Sequence, residues 1–559
     1  MHNLVFLALL LGTLSLPAQV RYVSPTGAGN MDGSSWSDAS ADLQAMINAA
    51  AAGQEVWVAA GTYRPTTQIN PNEPRSKSFV MKEGVGIYGG FVGTETQRSA
   101  RDWTANATTL SGDLNGDDAP VTVDAAGRLV FANNNENGYN VVKNDQNGLT
   151  AAAVLDGFIL RAGNSAFNSS RGGGMYNNNA SPSVVNCIFS NNQADIWGGG
   201  MYNEASSSPT VINCTFSGNR ANLDGGGIYN LNSLPTVINC RFLGNQVNGS
   251  GGGGYNNNSS VVYTNCTFSG NRALEYGGGM QNAVSSSSFT NCSFSGNRAR
   301  FNGGAVGNFS TSNPAFTNCL IYNNQEASST TTSGASVADL SGSSSTFTYS
   351  LVQNITSSAN NNLDGSLDPL FVTPVAPATA PTTAGNLRLQ SSSPAIDAGN
   401  NMVNVVALDL AGNIRITDGN NDSSADIDLG AYEAFSLPPC TPNTTPDPTS
   451  APLTWTGAVS SAWNEGCNWS SERVPDADNP VTVPGGTPNA PALQAGAPYA
   501  ATALTLQSGV QLTLPVGSSF DIGGTLLLDG ATLTNEGTLD PGAVTLQNGG
   551  VLTNRGRVE

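Results

Sequence analysis

The chain has 559 residues and a formal net charge of −19; 65 residues are glycine and only 11% are charged. This length predicts several domains, and the acidic balance argues against nucleic acid or an anionic membrane as a partner. The single histidine is His2, at the extreme N-terminus, which argues against catalysis by a histidine relay.

Residues 1–18 have the pattern of a secretory signal peptide. Leu4 to Leu16 form an apolar run that is too short to span a membrane, and Ala18 offers a cleavage point. The lysine or arginine that usually precedes such a run is missing, so a buried N-terminal strand is the alternative. No later stretch has the ~20 apolar residues of a transmembrane helix. The chain is therefore expected to be secreted, without a transmembrane segment.

Residues 19–150 are predicted to form the cap and the first irregular coils of a repeating β-structure. Leu43, Met46, Ile47 and Ala50 share one face of a short helix. That helix is expected to close the open end of the repeats, and an ordinary surface helix is the alternative.

The segment from 113 to 118 reads Asp-Leu-Asn-Gly-Asp-Asp. Oxygen donors at alternate positions can wrap around Ca²⁺. A polar turn between two coils is the alternative interpretation of this segment.

Residues 151–365 carry the repeat that defines the fold. Glycine runs start at Gly172, Gly198, Gly225, Gly251, Gly277 and Gly303, and the anchor cysteines are Cys187, Cys214, Cys240, Cys266, Cys292 and Cys319. The cysteines are spaced by 27, 26, 26, 26 and 27 residues. This period is too short for a propeller blade, and helical periodicity is absent, so each repeat is predicted to be one coil of a parallel β-helix. The crossover rule makes that helix right-handed.

Alternation along the strand predicts which side chains face the core. It places Ile212, Cys214 and Phe216 inside and Asn213 and Thr215 outside. The same split puts the following residues inside: Val185, Cys187, Phe189, Ile238, Cys240 and Phe242.

Stacked coils turn each position into a ladder of like residues about 4.8 Å apart. One expected asparagine ladder comprises Asn177, Asn203, Asn230, Asn256, Asn282 and Asn308. The cysteine ladder is expected to stay as thiols, because this spacing exceeds the usual Cβ separation of a disulfide.

The glycine runs and the Phe-x-x-Asn pairs, such as Phe216/Asn219 and Phe242/Asn245, resemble a known repeat family. They are similar to the GG-apolar and FxxN repeats of the polymorphic outer-membrane-protein class of bacterial autotransporters. The last coil departs from the pattern, with Ile321 in place of phenylalanine. The resemblance implies a bacterial surface β-helix of the adhesin type.

Residues 366–435 change in character. Ser393–Asn400, Asp409–Arg415 and Asp428–Glu433 resemble parts of the choice-of-anchor module that follows β-helices in bacterial surface proteins. The resemblance implies a terminal cap ahead of an attachment region.

An acidic loop inside this module is a second candidate for Ca²⁺, the one cofactor that the sequence indicates. Asp418, Asn420, Asp422 and Asp426 place oxygen donors at alternate positions. Leu429 stands where a bidentate glutamate is expected, and a solvated acidic loop is the alternative.

Residues 436–452 are rich in proline and threonine and are predicted to be a linker. Residues 453–559 are predicted to form a small C-terminal β-rich module. Cys440 and Cys467 lie outside the ladder, and a disulfide between them is one of two open alternatives, free thiols being the other.

A row of aromatic residues is the predicted ligand-binding feature. Tyr176, Tyr202, Tyr229 and Tyr255 occupy one position in four successive coils. If the preceding residues face the core, the rings face out and can stack on sugars or on a protein partner. Tyrosines that stack only on one another are the alternative.

The sequence favours a secreted or outer-membrane-associated protein that acts without catalysis, in adhesion or in binding an extracellular glycan or host cell surface. The second hypothesis is a lyase for acidic polysaccharides near residues 113–171, with Arg161 or Arg171 as the base. Surface arginines are the simpler interpretation of both side chains. A purely structural spacer is the third hypothesis.

Overall fold

The computed structural model describes residues 20–165, 171–327, 336–356, 358–403, 406–420, 422, 424–434, 452–456, 461–463, 468–469, 474–475, 477–484, 487 and 491–558. The signal peptide, most of the linker and both Cys440 and Cys467 lie outside these residues, so the disulfide stays a prediction. The chain divides into two compact units, Met1–Phe435 and Ser436–Glu559, which are described separately.

The first unit is a parallel β-helix, as predicted. Among the described residues, each regular coil contributes one strand in turn to each of four parallel sheets. Sheet A contains Val142–Asp145, Met175–Asn178, Met201–Glu204, Ile228–Leu231, Gly254–Asn257, Met280–Ala283, Val306–Phe309 and Val337–Asp339. Sheet B contains Val20–Val23, Glu55–Ala59, Gly86–Phe91, Val154–Asp156, Ser183–Val185, Thr210–Ile212, Thr236–Ile238, Val262–Thr264, Ser288–Thr290, Ala315–Thr317 and Thr346–Thr348. Sheet C contains Gly61–Tyr63, Thr108–Ser111, Ile159–Arg161, Ile188–Ser190, Thr215–Ser217, Arg241–Leu243, Thr267–Ser269, Ser293–Ser295, Leu320–Ile321 and Leu351–Val352. Sheet D contains Asn164–Ser165, Gln193–Ala194, Arg220–Ala221, Gln246–Val247, Arg272–Ala273, Arg298–Ala299 and Gln325–Glu326.

The remaining elements of this unit are short. The α-helix is Leu43–Ala49, and the antiparallel pairs are Thr122–Val123 with Leu129–Val130 and Phe371–Thr373 with Asn386–Leu389. The 3₁₀-helices are Trp36–Asp38, Pro74–Ser76, Arg98–Ala100, Ala359–Asn361, Pro377–Thr379 and Asn401–Val403.

The core of the regular coils is a set of stacked columns. Phe216 and Phe242 stack with ring centroids 4.9 Å apart and planes 3° apart, and Phe242 stacks on Phe268 at 4.7 Å. All six ladder cysteines are buried as free thiols next to this column. Each side chain therefore packs on its copy in the adjacent coil, at the inter-strand spacing.

The predicted inward face is wrong at one position in each coil. Val211 is fully buried whereas Ile212 is only half-buried, and Val184 and Val237 are likewise the buried members of their pairs. The reason is Asn213, whose φ of 53° places it in the left-handed region and ends the strand before Cys214. Because the alternation restarts after this turn, Cys214 and Phe216 face inward as predicted.

The predicted asparagine ladder is confirmed. Asn203 Nδ2 donates to Asn230 Oδ1 at 2.8 Å, and Asn230 Nδ2 donates to Asn256 Oδ1 at 2.9 Å. The Phe-x-x-Asn motif forms a second buried ladder, in which Asn219 Nδ2 donates both to Asn245 Oδ1 and to Phe189 O. Each amide thus supplies the donor that the neighbouring coil needs.

The glycine runs are required for two different reasons. Gly198 has a φ of 68°, which a residue with a Cβ adopts only at a cost. At Gly200 the neighbouring coil lies too close for a side chain, because an added Cβ would lie 2.5 Å from Gly227 O and 2.9 Å from Phe216 Cδ1.

The N-terminal helix closes the core, as expected. Asp42 caps it by accepting a hydrogen bond from Ala45 N at 3.0 Å. Its predicted apolar face joins the main core cluster beside the first strands of sheet B.

The described residues between 366 and 434 pack along the side of the coils. Asn265 Nδ2 donates to Leu408 O at 2.8 Å, and Asn318 Nδ2 donates to Asn400 O at 3.2 Å. These two asparagines belong to the fourth and sixth glycine-led coils, so the segment follows the turns between sheets B and C. The sequence predicted a terminal cap for this segment and did not predict that it would lie along the side of the coils.

The second unit is also built from parallel strands, in the part of it that the structure describes. One sheet contains Leu453–Thr454, Pro480–Val483, Pro498–Ala501, Ala503–Leu506, Ser519–Asp529, Thr538–Gln547 and Arg557–Val558, and another contains Gln511–Leu514, Thr532–Asn535 and Val551–Asn554. Trp455, Trp463 and Trp469 are buried in its core. Across the described parts of both units, no helix has the length and apolarity to cross a membrane.

Candidate functional site

A long excursion, residues 112–138, interrupts one early coil between sheets C and A. Gly138 N donates to Gly112 O at 2.7 Å, so the two ends of the excursion meet at its base. The antiparallel pair Thr122–Val123 and Leu129–Val130 forms the hairpin at its far end. The excursion is therefore a closed insertion that leaves the path of the β-helix intact.

The hairpin lies on the outer face of sheet D. Gln246 Oε1 accepts from Leu129 N at 2.7 Å, and Gln246 Nε2 donates to Gly127 O at 2.9 Å. Arg220 Nη1 donates to Leu129 O at 3.1 Å, and Arg272 donates to Gly127 O. The outward side chains of sheet D therefore hold the hairpin through its backbone.

Four carboxylates converge at the base of the excursion. Oxygen atoms of Asp113, Asp117, Asp118 and Glu136 lie within 4.8 Å of one another. Asn137 Nδ2 donates to Asp118 Oδ2 at 2.9 Å. The three aspartates come from the outgoing arm, whereas Glu136 and Asn137 come from the returning arm. We call these five residues the acidic base.

Electrostatics within the acidic base are unfavourable. Burial raises the pKa of Asp118 to about 6, and the charges of Asp113, Glu136 and Asp117 add to the rise, whereas the hydrogen bond from Asn137 opposes it. None of the ion pairs among the described residues includes one of these four carboxylates. The cluster thus holds like charges close together, while Arg64 Nε and Arg75 Nε donate to the backbone oxygens of Asp113 and Asn137, each at 2.7 Å.

A cleft of about 370 Å³ opens beside the acidic base. Its lining residues are Asp118, Ala119, Pro120, Val121, Phe131, Ala132, Asn134, Asn137, Arg161, Ala162, Gly163 and Asn191. Arg161 and Asn191 end strands or turns of the β-helix and are exposed, while Phe131 and Asn134 come from the returning arm. The lining of the cleft therefore combines the Arg161 guanidinium, three asparagine amides and one aromatic ring with the Asp118 carboxylate.

The tyrosine row is stacked, but its predicted exposure is wrong for the two central rings. Tyr202 and Tyr229 are 0% and 2% exposed, and their ring centroids lie 5.6 Å apart. Trp197 stacks on both, at 6.0 Å and 5.2 Å. Tyr176 and Tyr255, at the two ends, are half-buried. The rings face away from the core as expected, but an added aromatic layer covers them.

Arg171 belongs to this covering layer. Its guanidinium lies 4.7 Å from the Trp197 ring and pairs with Glu204 at 3.3 Å. Glu204 also accepts hydrogen bonds from the hydroxyls of Tyr176 and Tyr202, at 2.5 and 3.0 Å. Arg171 is therefore engaged in structure, and only Arg161 of the two proposed bases lines the cleft.

The acidic loop near residue 420 does not form a comparable cluster in the described residues. Asp422 Oδ1 accepts from Ser424 N at 2.8 Å, and Asp426 accepts from Asn401 Nδ2 at 2.9 Å. The loop carboxylates bond to local groups, and the three aspartates do not converge as those of the acidic base do. A cation in this loop stays a prediction.

Sequence reasoning singled out the segment 113–118 and Arg161 but missed Glu136 and Asn137. These two residues lie in a run of asparagines, Asn133-Asn134-Asn135-Glu136-Asn137, that shows no metal-ligand spacing by itself. The only indication of a site in this segment was a single acidic residue within a run of asparagines. Their role depends on the return of the chain to Gly112.

A family model agrees with the observed fold. The family model described as "Right handed beta helix region" matches residues 127–294, and the first unit is a right-handed parallel β-helix. A crystal structure of the pectate lyase Pel9A is 15% identical with a TM-score of 0.37, covering 75% of this chain and 98% of that chain. No curated protein matches the chain. The resemblances to autotransporter repeats and to the choice-of-anchor module stay predictions.

Proposed function

We propose that the protein is a secreted or surface-attached bacterial β-helix that binds an extracellular glycan without chemically changing it. The cleft beside Arg161 is the observation that carries this proposal. Its volume of about 370 Å³ lies within the ~300–1,000 Å³ of small-ligand sites.

The chemistry of the cleft suits a sugar ring. Asn134 and Asn191 offer amide donors and acceptors for hydroxyl groups. Phe131 offers an apolar face on which the C–H side of a sugar can rest. Arg161 adds a planar cation, which binds a carboxylate in two places at once. Because the chain carries a net charge of −19, a local cation is needed to hold an acidic sugar.

The location differs from the one the sequence favoured. The covered tyrosine row has no open ring faces at Tyr202 and Tyr229, so it serves the packing of sheet A. The cleft instead lies where the excursion meets the β-helix. In this proposal, glycan binding occurs where the excursion meets the β-helix and not on the regular repeats.

A panel of immobilised neutral and uronate-containing glycans tests the proposal. Arg161→Ala is expected to reduce binding of the retained glycans at least about tenfold, since a charge-assisted pair is lost. Arg300→Ala is the matched control, because Arg300 is exposed and lies outside the cleft. Equal loss in both variants, or no binding by the parent protein, would contradict the proposal.

A polysaccharide lyase is the second candidate, and it is favoured by the exposed Arg161 guanidinium next to clustered carboxylates. A lyase uses a base to remove a proton next to a carboxylate and leaves an unsaturated sugar end. Ultraviolet absorbance during incubation with uronate polysaccharides and Ca²⁺ distinguishes the candidates. A rising signal that Arg161→Ala removes would establish the lyase, and a flat signal with retained binding supports the non-catalytic role. The absence of both leaves a structural spacer.

A further inference from the structure

The acidic base contains buried oxygen atoms that have no hydrogen-bond donor. They are Oδ1 of Asp118, Oε1 of Glu136 and Oδ1 of Asn137. Asn137 is only 1% exposed, and its amide group contacts the Asp118 carboxylate through Nδ2. A buried acceptor without a partner costs about 1–3 kcal/mol, and here three such acceptors adjoin one cluster.

We propose that the acidic base is a Ca²⁺ site, with the carboxylates of Asp113, Asp117, Asp118 and Glu136 as its ligands. The site is new relative to the glycan-binding proposal and does not rest on it.

The donor set selects the ion. All four side chains offer carboxylate oxygen, and no histidine or cysteine is among them, which disfavours zinc. Ca²⁺ accepts six to eight oxygen ligands in flexible arrangements, whereas Mg²⁺ demands near-ideal octahedral geometry. Four carboxylates from two separate arms match the first requirement better than the second. The mutual repulsion of carboxylates whose oxygen atoms lie within 4.8 Å of one another is relieved when a divalent cation binds between them.

The position of the site gives the cation a structural task. Asp113, Asp117 and Asp118 lie on the outgoing arm, and Glu136 and Asn137 lie on the returning arm. A cation held by both arms joins them at the base of the excursion. Since Asp118 and Asn137 also line the cleft, the same cation fixes one wall of the cleft.

Calorimetric titration of Ca²⁺ into the full chain after removal of metals with a chelator tests the proposal. One Ca²⁺ per chain is expected to bind, and Asp118→Asn and Glu136→Gln should each weaken it at least about tenfold. These substitutions keep the side-chain shape, so folding should persist, and circular dichroism checks this. Mg²⁺ is titrated in parallel and is expected to bind more weakly.

Asp422→Asn is the matched control, because it makes the same chemical change in the other acidic loop. Retained Ca²⁺ binding in Asp422→Asn, together with its loss in the acidic-base variants, supports the site. Binding lost only in Asp422→Asn would place the ion in the loop near residue 420 and overturn the proposal. Equal affinity for Mg²⁺, or no heat with Ca²⁺, would overturn it as well.

Limited trypsin digestion supplies a readout that does not depend on affinity. Arg128 is exposed in the hairpin of the excursion, so cleavage there reports on how often the excursion opens. Ca²⁺ is expected to slow this cleavage in the parent protein and in Asp422→Asn but not in Glu136→Gln. Unchanged cleavage of the parent protein with Ca²⁺ would show that the ion does not hold the arms together.

Discussion

The regular coils and the excursion use similar polar residues but satisfy them in different ways. In the coils, the Oδ1 atom of Asn230 accepts from Asn203 and its Nδ2 donates to Asn256. In the excursion, Oδ1 of Asn137 is equally buried and has no donor. The repeat gives each buried amide a copy in the adjacent coil, whereas the excursion occurs once. The excursion has no such copy, and this oxygen therefore has no donor among the described residues.

The largest expected effect comes from breaking a core column of the coils. Phe242→Ala removes a ring that is stacked on both sides, and it should cost about 3–5 kcal/mol. The measurement is the denaturant midpoint for unfolding of the first unit. Leu234→Ala is the control, because Leu234 lies in the same coil and is 58% exposed. Similar losses in the two variants would contradict the columnar core.

A titrating carboxylate offers a second way to weaken the coils. Burial raises the pKa of Asp224 to about 6 from its ordinary 3.8. Because the folded pKa is raised, the associated stability is present below pH ~4 and is lost as pH rises through about 6, by roughly 3 kcal/mol. Melting temperatures between pH 4 and 7 should fall in the parent protein. Asp224→Asn should remove this part of the pH dependence, and an unchanged slope in that variant contradicts the assignment.

Ca²⁺ should strengthen the excursion without touching the coils. At a free concentration of about 100 times Kd, binding to the folded state alone adds about 2.7 kcal/mol. Hydrogen exchange followed by mass spectrometry should show the added protection in residues 112–138. Protection that appears equally in the coils from Gly198 to Asn297 would mean that the two regions are not distinct.

The close approach of neighbouring coils predicts a smaller loss. Gly200→Ala introduces a Cβ 2.5 Å from Gly227 O, which should cost about 1–3 kcal/mol through overpacking. Gly523→Ala is the control, since nothing lies within 4 Å of the added carbon there. Thermal unfolding compares the two variants, and a neutral Gly200→Ala would show that adjacent coils can separate to admit the methyl group.

The smallest expected effect on stability is that of Arg161→Ala. Its exposed side chain predicts a change within about 0.5 kcal/mol, whereas glycan binding should fall. A large loss of stability in this variant would make the binding assay uninformative about the cleft and would assign Arg161 a structural role instead.

Much of the fold could be predicted because the same sequence pattern recurs in every regular coil. The period, the glycine runs and the asparagine ladder identify a parallel β-helix, since only stacked coils place like residues together every 26 or 27 positions. The inward face was misjudged at Ile212, because the left-handed turn at Asn213 resets the alternation. Alternation of polar and apolar residues cannot reveal such a turn, because an asparagine is compatible both with an outward-facing strand position and with a left-handed turn.

The candidate site could be predicted only in part. The segment 113–118 and Arg161 were identifiable by residue type, but the exposure of the tyrosine row was not decided by the repeat. Trp197 occurs in one coil and covers Tyr202 and Tyr229. A residue that appears once carries no periodic signal, so its effect on its neighbours becomes visible only in three dimensions.

The amino-acid sequence is enough to predict the coil, its spacing and the identity of its ladders, because local turn chemistry and a fixed period repeat the same contacts. By contrast, the contact of Glu136 and Asn137 with the three aspartates, and the cleft beside Arg161, become visible only in the folded chain. That meeting depends on the closure of the excursion between Gly112 and Gly138. The two arms are separated along the chain, and their contacts occur only once. Such contacts leave no pattern in the sequence, because they arise from the path of the backbone.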